Sequence, residues 1–92
     1  MDIKELQKEA WAIIQGYNKK HGLRHNKETV FYHLIEEIGE LTRELYHYKN
    51  PWRKKFNKQK FSEELVDALV QLLILAKDFD VDIEKTFENK IK

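Results

Sequence analysis

Apolar residues recur at intervals of three and four positions through most of this 92-residue chain, which is the spacing of one face of an α-helix. The pattern predicts helices over residues 3–20, 27–48, 61–76 and 83–92. Only three glycines and one proline interrupt the sequence, so it offers few turns for a series of short β-strands. We therefore expect an all-α fold, a small bundle of about four helices that forms a single domain over residues 1–92.

The composition excludes several classes of protein. The absence of cysteine rules out disulfide frameworks and zinc–thiolate sites. The chain has 17 Lys and Arg against 16 Asp and Glu, and this near-neutral balance argues against a protein that coats nucleic acid. No apolar run approaches the roughly 18 residues of a membrane span, and the N-terminus has no signal-peptide pattern. We therefore expect a cytoplasmic protein that does not bind membranes.

The third predicted helix is apolar nearly all round from Leu65 to Ala76, with Ser62 as its expected N-cap. Such a helix should be buried on most sides. A domain of this length, however, buries only ~60% of the surface that its unfolded chain exposes. Together these observations predict that a second copy of the chain completes the core.

Two pairs of acidic residues carry the chemical information. Glu37 and Glu40 are three positions apart in the second predicted helix, as are Glu64 and Asp67 in the third, so each pair shares a helix face. Trp52 is the midpoint in sequence between Glu37 and Asp67, and it is also the midpoint between Glu40 and Glu64. An antiparallel hairpin turning near Trp52 would bring the four carboxylates to one level. Facing carboxylates repel unless a cation lies between them, and oxygen ligands suit Mg²⁺ or Mn²⁺.

Two further details favour a bound cation over an ordinary solvated acidic surface. Asp67 lies within the most apolar helix, where an unpaired charge is costly. Gly39 lies in mid-helix between the glutamates, where glycine costs ~1 kcal/mol relative to alanine. A glycine there permits close approach by a partner helix or a ligand.

These acidic residues lie in segments that resemble a known family. Residues 34–41 (LIEEIGEL) and 62–69 (SEELVDAL) are similar to the two motif helices of the MazG-like nucleoside triphosphate pyrophosphohydrolases, in the all-α NTP pyrophosphatase group. Residues 79–84 (FDVDIE) resemble the turn into the family's last helix. The resemblance implies Mg²⁺-dependent hydrolysis of a (deoxy)nucleoside triphosphate to the monophosphate and pyrophosphate. It also implies a homodimer or a dimer of dimers, with sites near the subunit interface.

The resemblance assigns roles to single residues. The implied metal ligands are Glu37, Glu40, Glu64 and Asp67. Glu36 would lie beside them, and Glu36 or Glu37 would orient the attacking water or accept its proton. Phosphate contacts are expected from lysines and base stacking from aromatic side chains. The candidates are Lys54, Lys55, Lys58 and Lys90 for the phosphates, and Trp11, Trp52 and Tyr17 for the base.

Two other interpretations use different residues. The basic segment 49–60 is compatible with a non-enzymatic helical interaction module, which would leave the four carboxylates unexplained. The Glu44-x-x-His47 spacing occurs in carboxylate-bridged di-iron bundles. Those sites need a second Glu-x-x-His motif, which this sequence lacks.

Overall fold

The computed structural model describes residues 2–92, which form four α-helices and no β-strand. The helices are α1 (Ile3–Lys20), α2 (Lys27–Lys49), α3 (Lys58–Asp78) and α4 (Ile83–Ile91). The prediction of an all-α fold with about four helices is therefore confirmed. Over the same residues, no helix combines the length and apolar character that are needed to cross a lipid bilayer.

Each helix begins at a polar side chain that binds free N–H groups of the first turn. Asn26 caps α2 by accepting hydrogen bonds from the N–H groups of Glu28 and Thr29. Asp82 likewise caps α4, and Asp2 caps α1. The predicted starts of these three helices, at residues 3, 27 and 83, are therefore confirmed.

The start of α3 was predicted wrongly. Its N-cap is Asn57 rather than Ser62, and the Asn57 side chain accepts a 3.0 Å hydrogen bond from the N–H of Lys60. Ser62 lies inside the helix, where its hydroxyl donates to the carbonyl of Lys58, as serines within helices often do. The connection from α2 is therefore shortened to residues 50–57, and both Lys58 and Lys60 are helical.

α3 is the central helix, because α2 and α1 both pack against it while α4 packs against α1. The core lies between α1, the start of α2 and the second half of α3. Its buried members are Ala10, Val30, Leu73 and Ile74. The buried Gln7 side chain donates a 3.2 Å hydrogen bond to the carbonyl of Val81 and so fastens α1 to the α3–α4 turn.

The single chain is flat and open. It measures 44 × 43 × 23 Å, and its radius of gyration of 15.4 Å exceeds the value of about 12 Å expected for a compact domain of this length. Its accessible surface of 7457 Å² exceeds the roughly 5,700 Å² expected for a monomer of this mass. Exposed apolar side chains occur on both α2 and α3: Phe31, Ile35, Ile38, Leu45, Leu65, Val66, Leu69 and Leu72. The prediction that α3 is buried on most sides is thus wrong for one chain, because only two helices cover it.

Candidate metal centre

The antiparallel pairing of α2 and α3 follows the register expected from the sequence. Glu44 on α2 and Lys60 on α3 lie 3.7 Å apart, and Trp52 is their midpoint in the sequence. Trp52 is likewise the midpoint between Glu40 and Glu64. The short connection at residues 50–57 therefore aligns the two acidic segments across the seam between α2 and α3.

Three carboxylates meet in this seam. Glu37, Glu40 and Glu64 each have an oxygen atom, and these oxygens all lie within 4.8 Å of one another. We call these three residues the carboxylate cluster. Glu64 is buried, Glu37 is half-buried and Glu40 is exposed, so solvent reaches the cluster at Glu40.

The cluster holds its protons more tightly than isolated carboxyl groups do. A hydrogen bond with Glu40, burial, and the negative charges of Glu40, Glu37 and Asp67 raise the pKa of Glu64 to about 7. Burial and the charges of Glu40 and Asp67 also raise the pKa of Glu37. Part of each shift arises because negative charges are held close together, and a cation at this position would relieve that repulsion.

Unpartnered oxygen atoms also suit a cation. The Oε2 atoms of Glu37 and Glu64 are buried, and neither makes a hydrogen bond. Buried polar atoms normally have a partner, and leaving a carboxylate oxygen without one is costly. Because all the donor atoms are carboxylate oxygens, the cluster fits a hard divalent cation such as Mg²⁺ or Mn²⁺.

Asp67 and Glu36 lie outside the cluster. Asp67 is near enough for its charge to raise the pKa of Glu37 and Glu64, but its own oxygens are outside the group of three. Its side chain is exposed, because the face of α3 that carries it is left open in the single chain. Glu36 is also exposed, and its carboxylate lies 4.0 Å from His33. An added Cβ at Gly39 would meet no atom within 4 Å, so no helix of this chain packs closely there.

Two features of the seam were not predicted from the sequence: the position of Lys60 and the burial of Glu44. Glu44 is only 2% exposed, and its two oxygens lie 3.7 Å from Lys60 Nζ and 3.7 Å from His47 Nδ1. Lys60 precedes Glu64 by one helical turn, so the two side chains share a face of α3. Glu44 and Lys60 are equally far from Trp52 in the sequence, so the same argument that aligned the carboxylates would have paired these two residues.

A comparison with protein families adds an independent observation. Residues 25–92 match the model of the MazG nucleotide pyrophosphohydrolase domain. The chain belongs to this family. The match covers α2, α3 and α4, and therefore every member of the carboxylate cluster. Comparisons with curated proteins and with solved structures give no significant match.

Membership of the MazG family confirms the resemblance that the motif helices indicated. The family consists of nucleotide pyrophosphohydrolases, which are hydrolases that act on nucleotides and generally use a divalent metal. An acidic cluster with unpartnered oxygens on the two motif helices agrees with that general property.

The other candidate substrate residues of this MazG domain are dispersed. Lys54 and Lys55 are exposed in the connection, and Lys58 is exposed at the start of α3. Trp52 is 77% exposed in the same connection, with the Arg53 guanidinium 6.0 Å from its ring centre. These residues lie at the hairpin end of α2 and α3, about one and a half helical turns or more from the cluster.

Trp11 and Lys90 belong to other parts of the MazG domain. Trp11 packs against the core and lines a cavity of about 410 Å³ with Lys77 and Val81, at the opposite end of α3 from Glu64. Lys90 is exposed on α4, which packs chiefly against α1. Neither residue is brought to the carboxylate cluster within the single chain.

A groove of about 480 Å³ lies between α1, the α1–α2 loop, α2 and α3. We call it the main groove. Its apolar lining comes largely from Ile13, Ile14, Tyr17, Val30, Val70 and Ile74. His33 and Gln71 also line it, and these residues lie one helical turn from Glu37 and Asp67. Of the aromatic residues that the sequence offered for base stacking, Tyr17 lies in this groove.

Proposed function

We propose that this chain hydrolyses (deoxy)nucleoside triphosphates to nucleoside monophosphate and pyrophosphate, with Mg²⁺ as the cofactor and Mn²⁺ as a substitute. The observation that carries the proposal is the pair of buried, unpartnered oxygens of Glu37 and Glu64 within one carboxylate cluster. Membership of a family of nucleotide pyrophosphohydrolases supports the reaction class. Oxygen-only donors support the choice of metal.

In this proposal Glu37, Glu40 and Glu64 hold the cation, and Asp67 turns toward it when it binds. Asp67 is close enough to influence the titration of the cluster and is exposed, so its side chain has room to move. When bound, the cation would neutralise phosphate oxygens and make the attacking water more acidic. Raised proton affinity at Glu64 and Glu37 means that cation binding releases protons, which links metal affinity to pH.

The water and the phosphates need groups outside the ligand set. Glu36 lies one turn before Glu40 on α2 and is solvent-exposed, so we assign it the task of orienting the water or accepting its proton, with Glu37 as the alternative. Lys60 offers a positive charge one turn from Glu64, and its pairing with Glu44 orients it toward the seam. We therefore add Lys60 to the proposed phosphate contacts, beside Lys54, Lys55, Lys58 and Lys90.

A homodimer completes the proposal. The exposed apolar residues of α2 and α3, and an accessible surface well above that of a compact monomer, support burial against a second copy. Such an interface would cover the open side of the motif helices and would exclude water from the site. It would also bring basic residues of the partner toward the phosphates, where a single chain supplies few.

The direct test is a screen of nucleoside and deoxynucleoside triphosphates with Mg²⁺, with products followed by phosphorus NMR. Pyrophosphate release is the expected result, whereas orthophosphate alone would contradict the proposal. Glu40→Gln and Asp67→Asn should each lower kcat/KM by ~100-fold or more, since even partners outside the first ligand shell cost 10–100-fold. Glu88→Gln on α4 is the matched control and should keep full activity. Full activity of Glu40→Gln would show that the metal assignment is wrong, and the absence of any product would favour a binding module that uses segment 49–60.

A further inference from the structure

The seam between α2 and α3 has different chemistry on the two sides of the carboxylate cluster. On one side lies the ion pair of Glu44 and Lys60. On the other side lie His33 and Gln71, which both line the main groove. Trp52 is midway between them in the sequence, so they lie at one level of the seam. Along the seam, the order is therefore an ion pair that contains the Lys60 ammonium group, a cluster of carboxylates, and a pair of hydrogen-bonding groups at the main groove.

This order corresponds to the parts of a nucleoside triphosphate. Release of pyrophosphate requires that the α-phosphorus lie at the carboxylate cluster, with the nucleoside on one side and the two outer phosphates on the other. The outer phosphates need positive charge, which Lys60 supplies. The nucleoside needs an apolar surface with a few polar groups, which is the usual character of a small-molecule pocket.

The main groove suits a nucleoside in size and in charge. Its volume of about 480 Å³ falls within the range of roughly 300–1,000 Å³ that small-molecule sites span. None of its lining residues is acidic, so a base meets no carboxylate that would repel its carbonyl oxygens. Tyr17 and Ile13 are largely exposed and supply broad apolar surface at the groove.

Gln71 is the group best placed to distinguish one base from another. It is half-buried on α3 and lies one turn beyond Asp67 on the side away from Glu64. Its carboxamide offers both donors and an acceptor, which can pair with the neighbouring donor and acceptor on the edge of a base. A partly buried amide left unpaired is costly, so a base that fails to pair with it binds more weakly.

We propose that the substrate lies along the α2–α3 seam with its nucleoside in the main groove, and that Gln71 is the specificity-determining residue that contacts the base. The proposal rests on the proposed function. It adds the direction in which the nucleotide binds and the residue that selects the base. His33, on the opposite helix, contacts the same nucleoside.

The experiment compares kcat/KM for ATP, GTP, CTP and UTP in the wild type, Gln71→Leu and Gln71→Glu. Gln71→Leu removes one hydrogen bond to the base, so it should lower kcat/KM for the preferred nucleotide roughly tenfold and for the poorest nucleotide far less. The ratio of kcat/KM between the best and the poorest nucleotide should therefore become smaller. Gln71→Glu keeps the shape but removes the donors, so it should change the order of preference. Gln59→Leu, at an exposed glutamine near the start of α3, is the matched control and should keep the wild-type preference.

Binding of the products supplies a readout without turnover. By calorimetry, Gln71→Leu should weaken the binding of the nucleoside monophosphate roughly tenfold and leave the binding of pyrophosphate unchanged. If both Gln71 variants keep the wild-type ratios and affinities, the assignment is overturned while the hydrolytic function stands. A wild type that treats the four nucleotides alike within about threefold also overturns it. If no nucleotide yields pyrophosphate, both the proposed function and this inference fail.

Discussion

Glu44 on α2 and Lys60 on α3 form an ion pair across the seam that also holds the carboxylate cluster, with 3.7 Å between Oε1 and Nζ. Glu44 is almost completely buried, whereas the Lys60 side chain is about half exposed. The pair therefore secures the register of the two helices one helical turn from Glu40 and Glu64, and it places a positive charge at that level of the seam.

Removing the lysine should destabilise the fold. Lys60→Met keeps most of the aliphatic stem but leaves Glu44 as a buried carboxylate with only His47 nearby, so we expect the free energy of unfolding to fall by about 1–3 kcal/mol. Urea denaturation measures this change. Adding Glu44→Gln to Lys60→Met should restore part of the loss, because the buried charge is then gone. Lys85→Met, at an exposed lysine of α4, is the control and should be neutral.

Metal binding should stabilise the chain through the cluster. At a Mg²⁺ concentration about 100 times its Kd, the stabilisation is about 2.7 kcal/mol, which raises Tm by roughly 10 °C or more for a domain of this size. Glu64→Gln should lose this shift, and Glu88→Gln should keep it. Scanning calorimetry with and without Mg²⁺ measures the change in Tm for each variant. An equal increase in Tm in both variants would show that the metal binds elsewhere.

The metal-free protein should become less stable as the pH rises from about 4.5 to about 7. The pKa of Glu64 is raised from 4.5 to about 7 in the folded chain, chiefly by its hydrogen bond with Glu40 and by burial. A carboxyl whose pKa is raised by folding binds its proton more tightly in the folded state, so its stabilising effect is present at low pH and is lost as the proton leaves. Unfolding free energies measured in this pH range should show a steeper decline for the wild type than for Glu64→Gln. Parallel curves for the two proteins would contradict the raised pKa.

The exposed apolar residues of α2 and α3 should mediate dimerisation. Leu69→Lys places a charge among them, and we expect it to shift the protein toward monomer, because an unpaired charge is costly at an apolar interface. Sedimentation equilibrium of the wild type and the variant measures the association constant. Ile91→Lys is the matched control, since Ile91 is also exposed but lies on α4. A monomeric wild type would remove the dimer from the proposal.

The N-cap of α3 should contribute measurably to stability. Asn57→Ala removes the side chain that accepts the N–H of Lys60, and we expect a loss of about 1 kcal/mol. Ser62→Ala removes only a hydroxyl that bonds a carbonyl within the helix, so it should change the unfolding free energy by much less. Thermal unfolding measures the loss of stability in each variant. A larger loss for Ser62→Ala than for Asn57→Ala would indicate that Ser62, and not Asn57, is the N-cap of α3.

The helices and the register of the seam could be predicted because both depend on local properties of the chain. Apolar spacing specifies which residues share a helix face, and Asn26 and Asp82 cap the helices that follow them. Equal distances from Trp52 predicted which positions of α2 and α3 lie at one level, because two helices joined by a short connection pair in antiparallel order.

Burial and the exact composition of the cluster could not be predicted, because they depend on which helices cover which faces. The sequence alone presented Asp67 as a buried charge and α3 as an enclosed helix, yet in the folded chain α1 and α2 leave that side of α3 open. The local sequence around Glu44 does not distinguish it from the other glutamates of α2. Only the packing of the helices shows that Glu44 is buried against Lys60. The sequence by itself thus determined the helical fold, the family and the level of the acidic residues. Only the tertiary structure decided which carboxylates are deprived of water, and hence which of them need a proton or a cation.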